Sequence, residues 1–231
     1  FKFEPTIHWR NRMEATATPR ASLANRSWKR WMLIEEEKSP SLMESLVPGI
    51  SLAGKIAFTV VFIIALAQLA QGKFYLPDNP VPITFQTFGV LMMGGVLGWR
   101  WGALGAVGYY LVGMAGLPVF QSGNNGWDYV AHGATGGYLL GFILSTILVG
   151  YLSQHGWNRS RSLWPMLLGA LLLYVPALIW LSVFDFGWPA DGELFSSAMY
   201  PFIPGDLVKL MLASVVLGAA WRYVDHRNSS H

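Results

Sequence analysis

A carboxylate and an ammonium three residues apart share one face of a helix, and Asp206 and Lys209 have that spacing in the string Pro204-Gly205-Asp206-Leu207-Val208-Lys209, at the head of a long apolar run. Asp206 can accept from an N–H group of a solute, while Lys209 can donate to a carbonyl or a carboxylate. The plainer use of the two is structural, with Asp206 capping the helix that Pro204 and Gly205 open and Lys209 reaching to the surface. Two arguments weigh against it. An ionisable group within an apolar span costs about 2.5 to 3.5 kcal/mol on insertion scales, and a lysine in a first helical turn opposes the helix dipole unless an anion sits beside it. A lysine in a last helix also suits Schiff-base chemistry with retinal. Such photoreceptors need seven spans, however, and no nucleophile, base and oxyanion set accompanies this lysine, so the chain is not expected to be an enzyme.

Two further clusters carry polar groups in apolar surroundings. In Pro80-Val81-Pro82-Ile83-Thr84-Phe85-Gln86-Thr87 the prolines preset an extended backbone, and Thr84, Gln86 and Thr87 then offer hydrogen-bonding groups at the head of the next span. They suit a neutral polar solute, or equally contacts between helices. The Gly-rich stretch from Gly116 to Tyr138 contains Asn124 and Asn125, each with donors and an acceptor, and ends in Gly133-Ala134-Thr135-Gly136-Gly137-Tyr138.

The elements that position these residues are read from composition. Of 231 residues, 53% are hydrophobic and 13% charged, about half the charge of a soluble domain, so the chain is expected to be an all-α integral membrane protein. A span needs about 17 to 25 mostly apolar residues, which places six transmembrane helices near Ser51–Gln71, Ile83–Gly98, Trp101–Leu117, Gly136–Leu152, Leu163–Phe184 and Gly205–Trp221. The second and third are short and joined by Gly98-Trp99-Arg100-Trp101-Gly102, so they are expected to form a hairpin. With six spans, the N-terminal segment, Arg100, Arg159, Arg161, Arg222 and Arg227 share one side and Lys73 stands on the other, so both termini are expected to be cytoplasmic.

Residues 1–48 hold eight of the sixteen Lys and Arg and six of the thirteen acids. They are expected to be a cytoplasmic tail, disordered or partly interfacial around Trp28–Ile34, with residues 49–231 as the membrane domain. Met13, Met32 and Met43 are candidate starts. There is no cysteine, which removes disulfides and thiol chemistry, and the five scattered histidines make no metal spacing. No cofactor is expected. No phosphate-binding G-x-x-x-x-G-K-[ST] string occurs, so ATP is not hydrolysed by this chain itself. A dispersed net charge of +3 gives no nucleic-acid footprint.

The strings PVPITFQTFGV (Pro80–Val90), GLPVF (Gly116–Phe120), TGGYLLGF (Thr135–Phe142) and PFIPGDLVK (Pro201–Lys209) resemble, in this order, the BioY family of biotin-specific S components of energy-coupling-factor (ECF) transporters. The resemblance spans roughly Ser51 to Trp221. It implies a six-helix protein of the bacterial plasma (inner) membrane that binds biotin on its outer side and delivers it inward with an ECF coupling subunit and ATPase subunits. A solitary biotin transporter, or a binder of another small vitamin, is the alternative. The substrate-binding residues implied are Asp206 and Lys209, with Asn124 or Asn125 in the Gly-rich loop; Thr84, Gln86 and Tyr138 join them as candidates. The chain departs from the family's usual Gly-Pro-Thr-Gly-Gly-Tyr by carrying Ala134 where the proline stands, which is expected to loosen that loop. The resemblance also implies a docking face for the coupling subunit at Ala53-Gly54-Lys55-Ile56-Ala57, where Ala53 and Ala57 lie one turn apart and let another helix approach. The same small residues could instead pack inside the chain's own bundle.

Overall fold

The structure, a computed structural model, describes residues 39–157 and 163–230. Residues 1–38 of the expected tail, and Arg159 with Arg161, lie outside the described residues. The elements in chain order are α1 (Leu42–Leu46), α2 (Leu52–Gln71), β1 (Lys73–Phe74), β2 (Ile83–Thr84), α3 (Gln86–Met114), α4 (Gly126–Ala131), α5 (Gly136–Gln154), α6 (Leu163–Val183), α7 (Leu194–Ala198) and α8 (Ile203–Ser229). Short 3-10 turns lie at Gln121–Gly123 and Tyr200–Phe202. Among the described residues, five stretches are long and apolar enough to cross a membrane: α2, α3, α5, α6 and the run Leu194–Ser229, which joins α7 to α8.

The longest continuous helix is two arms. Gly98 has φ 75° and ψ 176°, a conformation that an L side chain rarely adopts, and the chain turns back there. A Cβ on Gly102 would meet Gly94 Cα at 3.4 Å, and one on Gly105 would meet Met93 Sδ at 2.9 Å, so the arms lie against each other as the expected hairpin does. α5 packs on this turn by the same small-residue device. A Cβ on Gly150 would fall 2.4 Å from the Trp99 nitrogen, and the Trp99 amide donates to Gln154 Oε1 at 3.1 Å. Helices in lipid gain no hydrophobic drive for association and depend on such close backbone approach.

Two expectations are corrected. The bundle begins at Ser39 rather than at residue 49. Ser41 and Glu44 form a capping box for α1, whose Leu42 and Met43 are fully buried. Glu44 pairs with Lys55 of α2, and Arg227 of α8 donates to the carbonyls of Ser45 and Leu46. The segment carries too few apolar residues to read as a span, yet two of them fill the end of the bundle. The second correction is at Ile83, expected to open a span. Ile83–Thr84 instead pairs antiparallel with Lys73–Phe74, Lys73 opposite Thr84, because the flanking prolines hold the backbone extended and α3 starts only at Gln86.

Candidate functional site

At the end of the bundle opposite the Gly98 turn, a cavity of about 560 Å³ counted to its open mouth is lined by residues of β2, α3, α4, α5, α6 and α8 and of the loop after α3. Its floor is the pair singled out in the sequence. Asp206 and Lys209 are only 6% and 7% exposed, and Lys209 Nζ donates to Asp206 Oδ1 at 2.9 Å. Asp206 does not cap its helix: α8 has no side-chain cap, and Phe202 stands at the cap position. Lys209 does not reach the surface either. The pair faces inward, with the Tyr174 hydroxyl of α6 donating to Asp206 Oδ2.

One wall is the turn into α3. The Gln86 backbone amide donates to Thr84 Oγ1 at 3.2 Å, while Thr84 Oγ1 lies 3.1 Å from Gln86 Oε1 as donor. Gln86 Nε2 donates to the Tyr109 hydroxyl at 2.9 Å, which donates onward to the Val119 carbonyl, also at 2.9 Å. Thr84, Gln86 and Thr87 all line the cavity. Tyr138 of α5 lines it as well, but its hydroxyl is taken by the Ala198 carbonyl, so its ring is what it presents. Leu139, Phe142, Leu173 and Phe202 supply apolar wall.

The roof is the loop after α3, stapled to the end of α2. Gln71 Nε2 donates to the Phe120 carbonyl at 3.0 Å and its Oε1 accepts from the Gly123 amide at 3.1 Å. Lys73 Nζ donates to Ser122 Oγ at 2.6 Å, and the Tyr75 hydroxyl donates to Gln121 Oε1 at 2.7 Å. Gln121 Nε2 in turn donates to the Tyr129 hydroxyl at 2.7 Å.

Asn124 and Asn125, expected to face a solute, do not line the cavity. The Asn125 side chain donates to the Gly123 carbonyl at 3.2 Å, and the Asn124 backbone closes the turn with Phe120 and Gln121; Asx residues commonly shape their own loop in this way. The loop around Ala134 is closely packed. Trp180 Nε1 donates to the Gly133 carbonyl at 3.1 Å, and a Cβ on Gly136 would sit 2.1 Å from the Val130 carbonyl oxygen, so tight packing holds the loop where a proline would have stiffened it. Ala53 and Ala57 are exposed on α2, and Gly54 is packed against Ile50.

Tyr174, Gln121 and Tyr129 were missed in the sequence. Tyr174 carried a weak signal, a phenol in an otherwise apolar span two residues before Pro176. Gln121 and Tyr129 sit in the Gly-rich stretch between two spans, on a 3-10 turn and on the short α4, where composition distinguishes no single residue.

The family model described as the BioY family matches residues 39–226. The biotin transporter BioY of Thermotoga maritima is 33% identical over 141 residues, which cover 61% of this chain and 81% of that protein. The biotin transporter BioY of Lactococcus lactis subsp. cremoris is 30% identical over 169 residues, covering 70% and 85% respectively. Among solved structures, the 2.1 Å crystal structure of the S-component for biotin from an ECF-type ABC transporter superposes with a TM-score of 0.65 at 26% identity, covering 74% of this chain and 94% of that one.

Proposed function

The chain belongs to the BioY family, and on that premise we propose that it is a membrane-embedded S component that captures biotin on the outer side and delivers it inward with an ECF coupling subunit and its ATPases. One observation carries the reading: a buried Asp206–Lys209 pair forms the floor of an otherwise mostly apolar cavity at one end of the bundle. Biotin has a ureido group with two N–H donors and one carbonyl, an apolar ring and chain, and a terminal carboxylate. The Asp206 carboxylate retains acceptor positions beside the two already engaged and takes a ureido N–H. Lys209 uses one of its three donors on Asp206, leaving others for the ureido oxygen or the carboxylate. Thr84 and Gln86 orient the polar edge of the solute, and the Tyr138 ring with the apolar wall receives its hydrocarbon part.

The two arms of α3 count separately in this reading, so the chain crosses the bacterial inner membrane six times with both termini cytoplasmic. Arg100, Arg222 and Arg227 at the end opposite the cavity support that orientation, since cytoplasmic ends carry excess Lys and Arg. The cavity then opens outward. The exposed Ala53–Ala57 face of α2 is where the coupling subunit docks.

The test is calorimetric titration of the detergent-solubilised full chain with biotin, thiamine and riboflavin. Binding of biotin alone is expected. Equal binding of all three, or none, overturns the assignment.

A further inference from the structure

Asp206 can serve a ligand only if its carboxylate is held in one orientation, and Lys209 alone does not hold it. Lys209 lies on the same helix one turn on and contacts a single oxygen, Oδ1; a flexible ammonium stem follows the carboxylate as it turns. The other oxygen, Oδ2, is engaged from a different helix by the Tyr174 hydroxyl. We infer that Tyr174 is a positioning residue of the solute site, fixing the Asp206 carboxylate so that its remaining acceptor positions face the cavity. This rests on the reading of the cavity as a biotin site.

Tyr174 is itself held from both sides. On α6 the residue before it, Leu173, and Ala177 nearly one turn after it meet two glycines of α5: a Cβ on Gly141 would lie 2.3 Å from the Leu173 carbonyl oxygen, and one on Gly137 would lie 2.8 Å from Ala177 Cα. The α6 backbone at Tyr174 is therefore pressed directly on α5. The ring is set by Tyr138, which meets it edge to face with centroids 6.3 Å apart and planes at 80°, and Tyr138 is anchored by its own hydroxyl to the Ala198 carbonyl. Three helices thus converge on one carboxylate: α5 through the Tyr138 ring, α6 through the Tyr174 hydroxyl, and α8 through Lys209.

The chemistry of the donor matters as much as its position. A phenol satisfies Oδ2 without adding charge, so the pair stays neutral overall. A second cation in its place would leave an excess positive charge in the apolar floor, whereas an apolar residue would leave one buried carboxylate oxygen without its protein donor, free to turn toward Lys209 and away from the solute. The phenol supplies the donor and keeps the acceptor ready for an N–H group.

The experiment is a double-mutant cycle on the full chain in detergent, titrating biotin into wild type, Tyr174→Phe, Asp206→Asn and the double variant. A hydrogen bond to a charged group is worth enough that losing it is expected to weaken biotin binding by about tenfold or more in Tyr174→Phe. If Tyr174 acts through Asp206, the double variant loses clearly less than the product of the two single losses. Tyr174→4-aminophenylalanine, which keeps a donor, is expected to recover most of the affinity. Wild-type affinity in Tyr174→Phe, multiplicative losses, or no recovery with the amino variant would each overturn the proposal. The same cycle run on the unfolding midpoint without biotin is also expected to be sub-additive. Should wild type itself bind no biotin, the substrate reading falls, and the unfolding cycle alone decides the positioning role: additive shifts overturn it.

Discussion

Gln86 Nε2 donates to the Tyr109 hydroxyl at 2.9 Å, and this bond joins the two arms of the Gly98 hairpin at the end where the cavity opens. Gln86 begins the first arm and Tyr109 lies on the second, so the contact closes what the glycine turn opens at the far end. Both side chains are buried. Gln86→Leu, of similar bulk, leaves the Tyr109 oxygen without its donor. A loss of about 1 to 3 kcal/mol is expected, read as a lower unfolding midpoint in detergent, together with weaker biotin binding because Gln86 also lines the cavity.

The buried pair gives a sharper test, because breaking such a pair leaves one uncompensated charge while removing both charges need not destabilise. Lys209→Met alone is expected to lower the unfolding midpoint strongly. Adding Asp206→Asn is expected to restore much of it, with biotin binding still lost. A double variant no more stable than Lys209→Met would show that the two charges are not compensating each other.

Acid sensitivity is expected at the opposite end of the bundle. Burial pushes the Glu44 carboxyl up, but hydrogen bonds from Lys55 and Ser41 outweigh it and hold the group below its ordinary value of 4.5. A carboxylate lowered in the folded state contributes stability that is present above that ordinary value and lost as pH falls through the lowered one. Unfolding midpoints taken from about pH 6 to about pH 3 are expected to fall further for wild type than for Glu44→Gln. Parallel curves would remove Glu44 from the account.

Gly150→Val tests the junction of α5 with the hairpin turn. The new Cβ would lie 2.4 Å from the Trp99 nitrogen and 2.5 Å from the Gly98 carbonyl carbon, both backbone atoms that cannot rotate aside. Overpacking of this kind costs about 1 to 3 kcal/mol or more. The expected result is a clear drop in unfolding midpoint or in the yield of folded protein, against near-normal behaviour for Gly72→Ala, whose Cβ meets nothing nearer than 3.6 Å and whose φ of −74° suits any residue.

The docking face separates from the binding site. Ala53 and Ala57 are exposed and distant in the fold from the cavity, so Ala53→Trp with Ala57→Trp is expected to leave biotin affinity near wild type and to abolish co-purification with a coupling subunit. Loss of biotin binding would place the face inside the chain's own packing. Survival of both activities would move the docking surface elsewhere.

The sequence by itself determined the long apolar helices and the identity of the pair. Apolar runs of spanning length, Gly98 between two short ones, and a carboxylate and ammonium three apart are local properties, legible because helix length, hydropathy and side-chain phase depend on neighbours along the chain. The four ordered motifs carried the family likewise. Only the tertiary structure decided what those residues meet. That Asp206 takes a second donor from Tyr174, 32 positions away, that the Asn125 side chain turns into its own loop, and that Leu42 and Met43 plug the bundle rather than trail from it all depend on which helices are pressed together. Glycine-to-backbone contacts between α3, α5 and α6 set that arrangement, and a glycine in the sequence carries no side chain to say which neighbour it will admit.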